Sequence, residues 1–231
     1  INLYEEVDYI DKQDEFYKLT TQKGKYSCSN LIIATGFYDR PYFLKVPGEE
    51  LPKVKHYYSE PHPYFEMDLV VVGAANSAVD VALETYRKGA KSVTMIIREK
   101  EIGENVKYWV RPDILNRIKE GSINAYFEAR IERITANEVY FKDINGHHNI
   151  ENDFVLAMTG YEPNFEMLER IGVEFHQDEF KTPVYNTENM ESNVKGVYLA
   201  GVVCGGYKTN KWFIENSRIH AFQIIEAISK R

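Results

Sequence analysis

Residues 68–98 constrain the fold more than any other part of the chain. Residues 68–72 contain an apolar run, Leu69 to Val72, that is typical of a buried strand, and residues 92–97 form a second mainly apolar strand. Between them, residues 77–88 have the apolar spacing of a helix that ends at Gly89. Strand, helix and strand within about 30 residues predict a β-α-β crossover with parallel strands. We therefore expect an α/β fold.

The turn between the first strand and the helix has the pattern of a phosphate-binding turn. Its sequence is Gly73-Ala74-Ala75-Asn76-Ser77-Ala78. A dinucleotide needs a tight bend, close approach of backbone N–H groups to its pyrophosphate, and a helix N-terminus facing the phosphates. Gly73 allows the bend and Ala78 allows close helix packing, whereas Ala75 replaces the usual middle glycine and weakens the pattern. The Ser77 hydroxyl can donate to phosphate. We predict that these six residues bind a nicotinamide dinucleotide; the alternative is a plain strand-turn-helix.

Positive charge follows the second strand of this unit. Arg98 stands where NAD-preferring sites usually have Asp or Glu to bind the ribose hydroxyls, and Lys100 lies two residues further on. The pair favours the 2′-phosphate of NADPH. The alternative for Arg98 is a solvated charge at a strand end.

Short strands and turns are predicted on both sides of this unit. Further strands are expected at residues 5–10, 16–21, 25–28, 31–34, 123–134, 138–141, 149–151, 154–158 and 196–200. Further helices are expected at residues 112–120 and 213–229. Residues 37–64 contain five prolines and predict an irregular connection. We place a domain boundary near Pro63.

Composition excludes several classes of protein. The chain is 44% hydrophobic, which is typical of a folded core, and its net charge of -7 argues against a nucleic-acid partner. The two cysteines are too few for a disulfide framework, so we expect a cytoplasmic protein. No apolar run approaches the roughly 20 residues of a membrane span. A beginning at Ile1 within strand-like sequence suggests truncation.

Three further segments carry a resemblance to a known family. They are residues 32–36 (Ile-Ile-Ala-Thr-Gly), 157–164 (Ala-Met-Thr-Gly-Tyr-Glu-Pro-Asn) and 196–201 (Gly-Val-Tyr-Leu-Ala-Gly). With the dinucleotide turn, their order and spacing resemble the pyridine nucleotide-disulfide oxidoreductase superfamily. The resemblance implies a Rossmann-like NADPH domain, residues 65–163, inserted in an FAD domain, residues 1–64 and 164–231. It implies FAD-side roles for Thr35, Gly36 and Gly201, and an NADPH-side role for Gly160.

Within the superfamily, the chain is most similar to the bacillithiol disulfide reductase family, which is thioredoxin reductase-like. The segments that carry this likeness are His56-Tyr57, residues 61–65, 76–78, 107–109, 200–202 and 213–216. Val202 is informative because most of the superfamily has Asp directly after the preceding glycine. The likeness adds Val202, Phe213 and Ile214 to the FAD side. It implies NADPH- and FAD-dependent reduction of a low-molecular-weight thiol disulfide. An apolar face left exposed where missing strands would pair predicts association into a homo-oligomer.

The chain also departs from its relatives. No second glycine-rich turn precedes residue 34, so we expect a fragment with an intact NADPH domain and an incomplete FAD domain, inactive alone. A Cys-x-x-Cys pair, which thioredoxin reductase needs, is absent. A flavin-dependent monooxygenase remains an alternative. Flavin monooxygenases carry a Phe-x-Gly-x-x-x-His signature, of which this chain keeps His56 but lacks the glycine.

Other residues have either a functional or a purely structural role. Cys204, just after the last strand, is a candidate redox residue, but buried cysteines are common. Tyr108 and Trp109 line the nicotinamide site or belong to the core. The pair His147-His148 lacks a third ligand, so no metal is predicted.

Overall fold

The computed structural model describes residues 1–14 and 16–230. Its strands are β1 (Val7–Lys12), β2 (Tyr17–Thr21), β3 (Lys25–Cys28), β4 (Leu31–Ile33), β5 (Arg40–Pro41), β6 (Val54–Lys55), β7 (Asp68–Val72), β8 (Ser92–Ile96), β9 (Asn124–Tyr126), β10 (Arg130–Ile134), β11 (Glu138–Asp143), β12 (Gly146–Glu151), β13 (Phe154–Ala157), β14 (Tyr161–Glu162) and β15 (Val197–Leu199). Its α-helices are α1 (Asn76–Arg87), α2 (Arg111–Lys119), α3 (Glu166–Arg170), α4 (Ile214–Ser217) and α5 (Ile219–Ser229). Short 3-10 helices occur at His62–Tyr64 and Gly201–Gly205.

The chain forms two compact units. One comprises Ile1–Arg40 with Tyr161–Arg231, and the other comprises Pro41–Gly160. The sequence-based boundaries after residues 64 and 163 differ from this division. The proline-rich stretch belongs to the second unit because β6 pairs with β13 in parallel, with Val54 opposite Val155. The assignment of a cofactor to each unit remains a prediction.

A five-stranded parallel sheet forms the centre of the second unit, in the order β6-β13-β7-β8-β9. The apolar run of β7 is buried on both faces. Leu69 and Val71 pack with helix α1, whereas Val70 and Val72 pack with the opposite cluster. Burial on both sides explains why this strand is continuously apolar rather than alternating. The predicted β-α-β unit is confirmed.

An antiparallel meander, β10-β11-β12, covers the second face of this sheet. Val139 and Phe141 of β11 are fully buried there. The single strand predicted at residues 123–134 is wrong, since β9 and β10 are separate. Glu128 between them has a φ of 50°, a left-handed conformation that interrupts the extended backbone.

The first unit contains a second meander, β1-β2-β3, and a parallel pair of strands, β4 and β15. Tyr198 and Leu199 of β15 are fully buried and pack with Ile224 of α5. The predicted continuous helix at residues 213–229 is wrong: α4 ends at Ser217, whose hydroxyl donates to the Phe213 carbonyl at 2.6 Å. A side chain bonded back to its own turn competes with regular helix hydrogen bonding.

Within residues 1–14 and 16–230, no helix has both the length and the apolar character that a membrane span requires.

Candidate functional site

The carboxyl ends of three neighbouring parallel strands meet at one edge of the second unit. Strand β7 leads into the glycine turn, β8 leads to Arg98, and β13 leads to residues 158–160. A cleft of about 940 Å³ opens at this edge. Its lining includes the predicted residues Gly73, Ala74, Ala75, Ser77, Arg98, Lys100 and Gly160. Ligands of open α/β sheets bind in this position, outside the carboxyl ends of the strands.

Only glycine fits at the start of the turn. Gly73 has a φ of 123°, and its N–H donates to the Ile96 carbonyl at 3.1 Å. A Cβ at this position would lie 2.6 Å from the Met158 carbonyl oxygen and 3.2 Å from the Ala78 Cβ. Gly73 therefore lets β7, β13 and α1 approach one another closely, as the sequence predicts.

The N-terminus of α1 is not capped by a side chain. Ala75 occupies the cap position in an extended conformation, and no side-chain hydrogen bond is made there. The first N–H groups of a helix have no intrahelical partners, so those of this turn are available to an anion. Ala75 and Ser77 are exposed on the cleft.

Two of the six predicted turn residues do not line the cleft. Ala78 is fully buried beneath the turn. The Asn76 side-chain oxygen accepts a hydrogen bond from the Lys107 backbone N–H at 2.8 Å, and the Lys107 ammonium pairs with Asp80 at 2.6 Å. These two residues therefore support the turn, rather than face a ligand.

The cleft has basic side chains on its β8 side. Arg98 is exposed, and its guanidinium pairs with the Glu99 carboxylate at 3.1 Å. Lys100 is also exposed. Sequence reasoning missed a third basic residue of the lining, Arg130 at the start of β10. No sequence signal marks it, because its position depends on how the chain returns past the end of β8.

Sequence reasoning also missed the wall that residues 42–46 contribute to the cleft. The Glu49 carboxylate holds this loop by accepting the backbone N–H groups of Leu44 at 2.6 Å and Lys45 at 2.7 Å. His56, which had no predicted role, lies 3.5 Å from the same carboxylate. The Thr159 hydroxyl donates to the Tyr42 carbonyl at 2.5 Å on the opposite side.

The aromatic pair before α2 lies at the surface, and its role at the nicotinamide site stays a prediction. Tyr108 is 83% exposed and Trp109 is 64% exposed, so neither belongs to the core. Neither lines the described cleft. Their rings contact each other edge to face, with centroids 4.9 Å apart.

In the first unit, the predicted FAD-side residues gather at the carboxyl ends of β4 and β15. These strands are parallel, with Leu199 opposite Ile33, and so bring residues 34–36 and 200–202 together. Gly36 and Gly201 have φ values of 80° and 77°, and a Cβ added at either would meet no atom within 4 Å. Thr35 is exposed and Val202 is half-buried. This edge is open.

Phe213 and Ile214, also predicted on the FAD side, lie at the start of α4. Their exposed fractions are 55% and 87%. The Phe213 N–H donates to the Asn216 side-chain oxygen at 2.7 Å, so Asn216 helps to cap the start of α4.

Cys204 lies in the core of the first unit, beside His220. The thiol is fully buried, and burial raises its pKa to about 12. Its sulfur lies 4.0 Å from His220 Nδ1, which accepts the Gly201 N–H at 3.1 Å. A buried, protonated thiol is a weak nucleophile, so this geometry favours a structural role.

The histidine pair at residues 147–148 bonds to carboxylates of the same meander. His147 lies 2.9 Å from Glu132, and His148 lies 2.8 Å from Asp143. Among the described residues, no group of three or more His, Cys, Asp or Glu side chains has an arrangement that could hold a metal ion.

The fold and the cleft agree with a family match over most of the chain. Residues 1–201 match the family described as pyridine nucleotide-disulphide oxidoreductase. The chain therefore belongs to the pyridine nucleotide-disulphide oxidoreductase family, and the recognised superfamily and its α/β fold are confirmed.

Two individual relatives indicate which members of the family this chain resembles. Bacilliredoxin reductase Bdr of Bacillus subtilis is 45% identical over 222 residues, covering 95% of this chain and 67% of the relative. The solved bacillithiol disulfide reductase Bdr from Bacillus cereus is 38% identical with a TM-score of 0.93, covering 100% of this chain and 72% of the other. The likeness to bacillithiol disulfide reductases is confirmed.

A more distant structure shows the fold alone. Lactococcus lactis thioredoxin reductase is 20% identical with a TM-score of 0.74, covering 97% of this chain and 76% of the other. The chain spans about two thirds of the length of the Bacillus subtilis relative.

Proposed function

We propose that the protein is an NADPH- and FAD-dependent reductase of a low-molecular-weight thiol disulfide, and that residues 41–160 bind its NADPH. The observation that carries the proposal is the uncapped glycine turn that opens, together with basic side chains, onto one cleft of about 940 Å³. The 38% identity to the bacillithiol disulfide reductase Bdr from Bacillus cereus supports the choice of substrate class.

The residues of the cleft fit a pyridine dinucleotide. The N–H groups of residues 74–77 and the Ser77 hydroxyl would bind the pyrophosphate at the start of α1. Arg98 and Lys100 would bind the 2′-phosphate of the adenosine ribose, after release of the Arg98 guanidinium from Glu99. Gly160 and Thr159 line the cleft after β13, on the far side of the turn from Arg98.

The residues present fit FAD only in part. Thr35, Gly36, Gly201 and Val202 form an open edge where backbone can approach a cofactor closely. Residues 1–34 supply no second glycine-rich turn of the kind that binds the ADP part of FAD. When bound, FAD would carry the electrons between dinucleotide and disulfide. The role of this chain in that step would be to shape one side of the flavin site.

A second candidate function follows from that partial fit. The chain alone would bind NADPH through residues 41–160 without retaining FAD, and would then reduce no disulfide. An intact glycine turn in residues 41–160 and, separately, an open FAD-side edge in the first unit favour this alternative for the 231-residue chain.

The test combines an absorbance spectrum of the purified chain with calorimetric titrations of NADPH and NADH, and with an assay of NADPH oxidation by bacillithiol disulfide. The proposal expects tighter binding of NADPH than of NADH. Bound flavin with disulfide-dependent oxidation of NADPH supports the reductase. A colourless, inactive chain that binds NADPH supports the binding unit alone.

Two other outcomes would count against the proposal. NADPH oxidation that needs oxygen and an organic amine, with no response to disulfide, would favour the monooxygenase alternative. Absence of NADPH binding would refute both forms of the proposal.

A further inference from the structure

Arg130 is a basic residue of the cleft that lies far in sequence from the glycine turn and from Arg98. It begins strand β10 and is exposed. Backbone hydrogen bonds fix its position: the Glu128 N–H donates to the Glu99 carbonyl at 3.0 Å, and the Ala129 N–H donates to the Ile97 carbonyl at 2.8 Å. The chain is thereby held against the end of β8, directly beside the predicted 2′-phosphate residues.

Charge in the cleft depends on Arg130. The charged side chains of the lining are three basic ones and two acidic ones, namely Arg98, Lys100, Arg130, Glu99 and Glu101. Without Arg130 the basic and acidic charges would cancel. A 2′-phosphate carries up to two negative charges, so a neutral lining would give it little net attraction.

Arg130 is also free to bind an anion. Within residues 1–14 and 16–230, no carboxylate forms an ion pair with it, whereas Arg98 is paired with Glu99. Arg130 lies directly opposite Lys142 in the β10–β11 register. Directly opposed like charges destabilise a sheet, so this pair is unfavourable until an anion neutralises it.

We infer that Arg130 is a specificity-determining residue that binds the 2′-phosphate of the dinucleotide together with Arg98 and Lys100. The inference rests on the proposed use of NADPH. A guanidinium at this position presents a planar fork of donors that matches a phosphate.

The test is calorimetric titration of the full chain and its variants with NADPH and with NADH. Arg130→Gln should weaken NADPH binding about tenfold to a hundredfold, the usual effect of losing hydrogen bonds to a charged group. NADH binding should change less than about twofold, because NADH lacks the 2′-phosphate. Arg130→Lys keeps the charge but not the fork, and should lie between the wild type and Arg130→Gln.

Arg133→Gln is the matched control. Arg133 lies on the same strand and is exposed, and its guanidinium lies 3.5 Å from the centre of the Tyr140 ring, outside the cleft. This variant should leave the ratio of NADPH to NADH affinity unchanged. Thermal unfolding of each variant establishes that it is folded.

The outcomes separate this inference from the proposed function. A wild-type preference for NADPH that survives in Arg130→Gln overturns the role of Arg130 alone, as does an equal loss of NADPH and NADH binding. Equal wild-type affinity for the two dinucleotides overturns the NADPH preference itself.

Discussion

His220 joins helix α5 to the turn after β15 by accepting a backbone hydrogen bond. It is 2% exposed, and its Nδ1 accepts the Gly201 N–H at 3.1 Å. The Trp212 ring contacts it edge to face, with centroids 4.5 Å apart. Burial, with a smaller effect of the Lys211 charge, lowers the pKa of His220. The neutral form is therefore the one that holds the turn.

This arrangement predicts a pH dependence of stability. The pKa of His220 is lower in the folded protein than in the unfolded one, so the unfolded state binds the proton more readily. The free energy of unfolding should be undiminished above the unfolded pKa of about 6.5 and should fall as pH falls below it. His220→Asn keeps an acceptor that does not titrate in this range. Denaturant unfolding from pH 7.5 to 5.0 should show a shallower fall for this variant than for the wild type; identical slopes would contradict the account.

Cys204 and Cys28 should differ in reactivity. Cys204 is fully buried with its pKa raised to about 12, whereas Cys28 is half-buried. A thiol reagent attacks the thiolate, so native Cys204 should react only when the unit opens. In the Cys28→Ala variant, the remaining thiol should be modified no faster than the protein unfolds. The matched Cys204→Ala variant gives the modification rate of Cys28. If Cys204 in the Cys28→Ala variant reacted rapidly by comparison, a redox role for Cys204 would be supported instead.

At the scale of elements, the β7-turn-α1 unit depends on one glycine. Gly73→Ala places a Cβ against the Met158 carbonyl oxygen at a φ that disfavours any side chain. The cost should be about 2 to 4 kcal/mol of unfolding free energy, with weaker NADPH binding, because the turn must shift.

Gly121→Ala is the control for Gly73→Ala. Gly121 follows α2 with a φ of 77°, and an added Cβ would meet no atom within 4 Å. This variant should cost only the backbone strain of about 1 to 2 kcal/mol. Chemical denaturation and NADPH titration compare the two. Equal losses of stability and of binding would mean that the close approach at Gly73 is unimportant.

The predictable elements are those whose signals are local. The strands β7 and β8 and the helix α1 were predicted to within one residue at each end, because continuous apolar runs and Gly89 mark them in the sequence. Strand β6 was missed because it has two residues and forms only by pairing with β13, about 100 residues later. The break between β9 and β10 was missed because it depends on the left-handed backbone of Glu128, a residue that rarely adopts it.

The candidate site shows the same contrast between residues with a local sequence signal and residues placed by the tertiary fold. The turn, Arg98, Lys100 and Gly160 were found from sequence because each directly follows a recognisable strand. Arg130 and the Glu49-held loop were not found, because only the tertiary fold brings them to the cleft. Asn76 matched the pattern of the dinucleotide turn, but its side-chain oxygen accepts a hydrogen bond from the Lys107 N–H. A sequence pattern does not show which way a side chain points.

At the scale of the whole molecule, the two proposed cofactor sites lie in different units. Residues 41–160 contain every residue of the cleft, so dinucleotide binding can be tested without reference to flavin. The first unit contains the proposed FAD-side edge, together with apolar side chains of α5 that are exposed, Ile219, Phe222 and Ile225. The chain spans about two thirds of its Bacillus subtilis relative, so full reductase activity is a proposal about the whole protein.

The central claim is that the turn after β7 holds the pyrophosphate of a pyridine dinucleotide. Hydrogen exchange measured with and without saturating NADPH tests it most directly. The account predicts slower exchange of the backbone N–H groups of residues 74–77, which lie at the start of α1 without intrahelical partners and would bond to phosphate. The β1-β2-β3 meander should exchange at an unchanged rate. Unchanged exchange at residues 74–77 under conditions where NADPH binds would contradict the assignment.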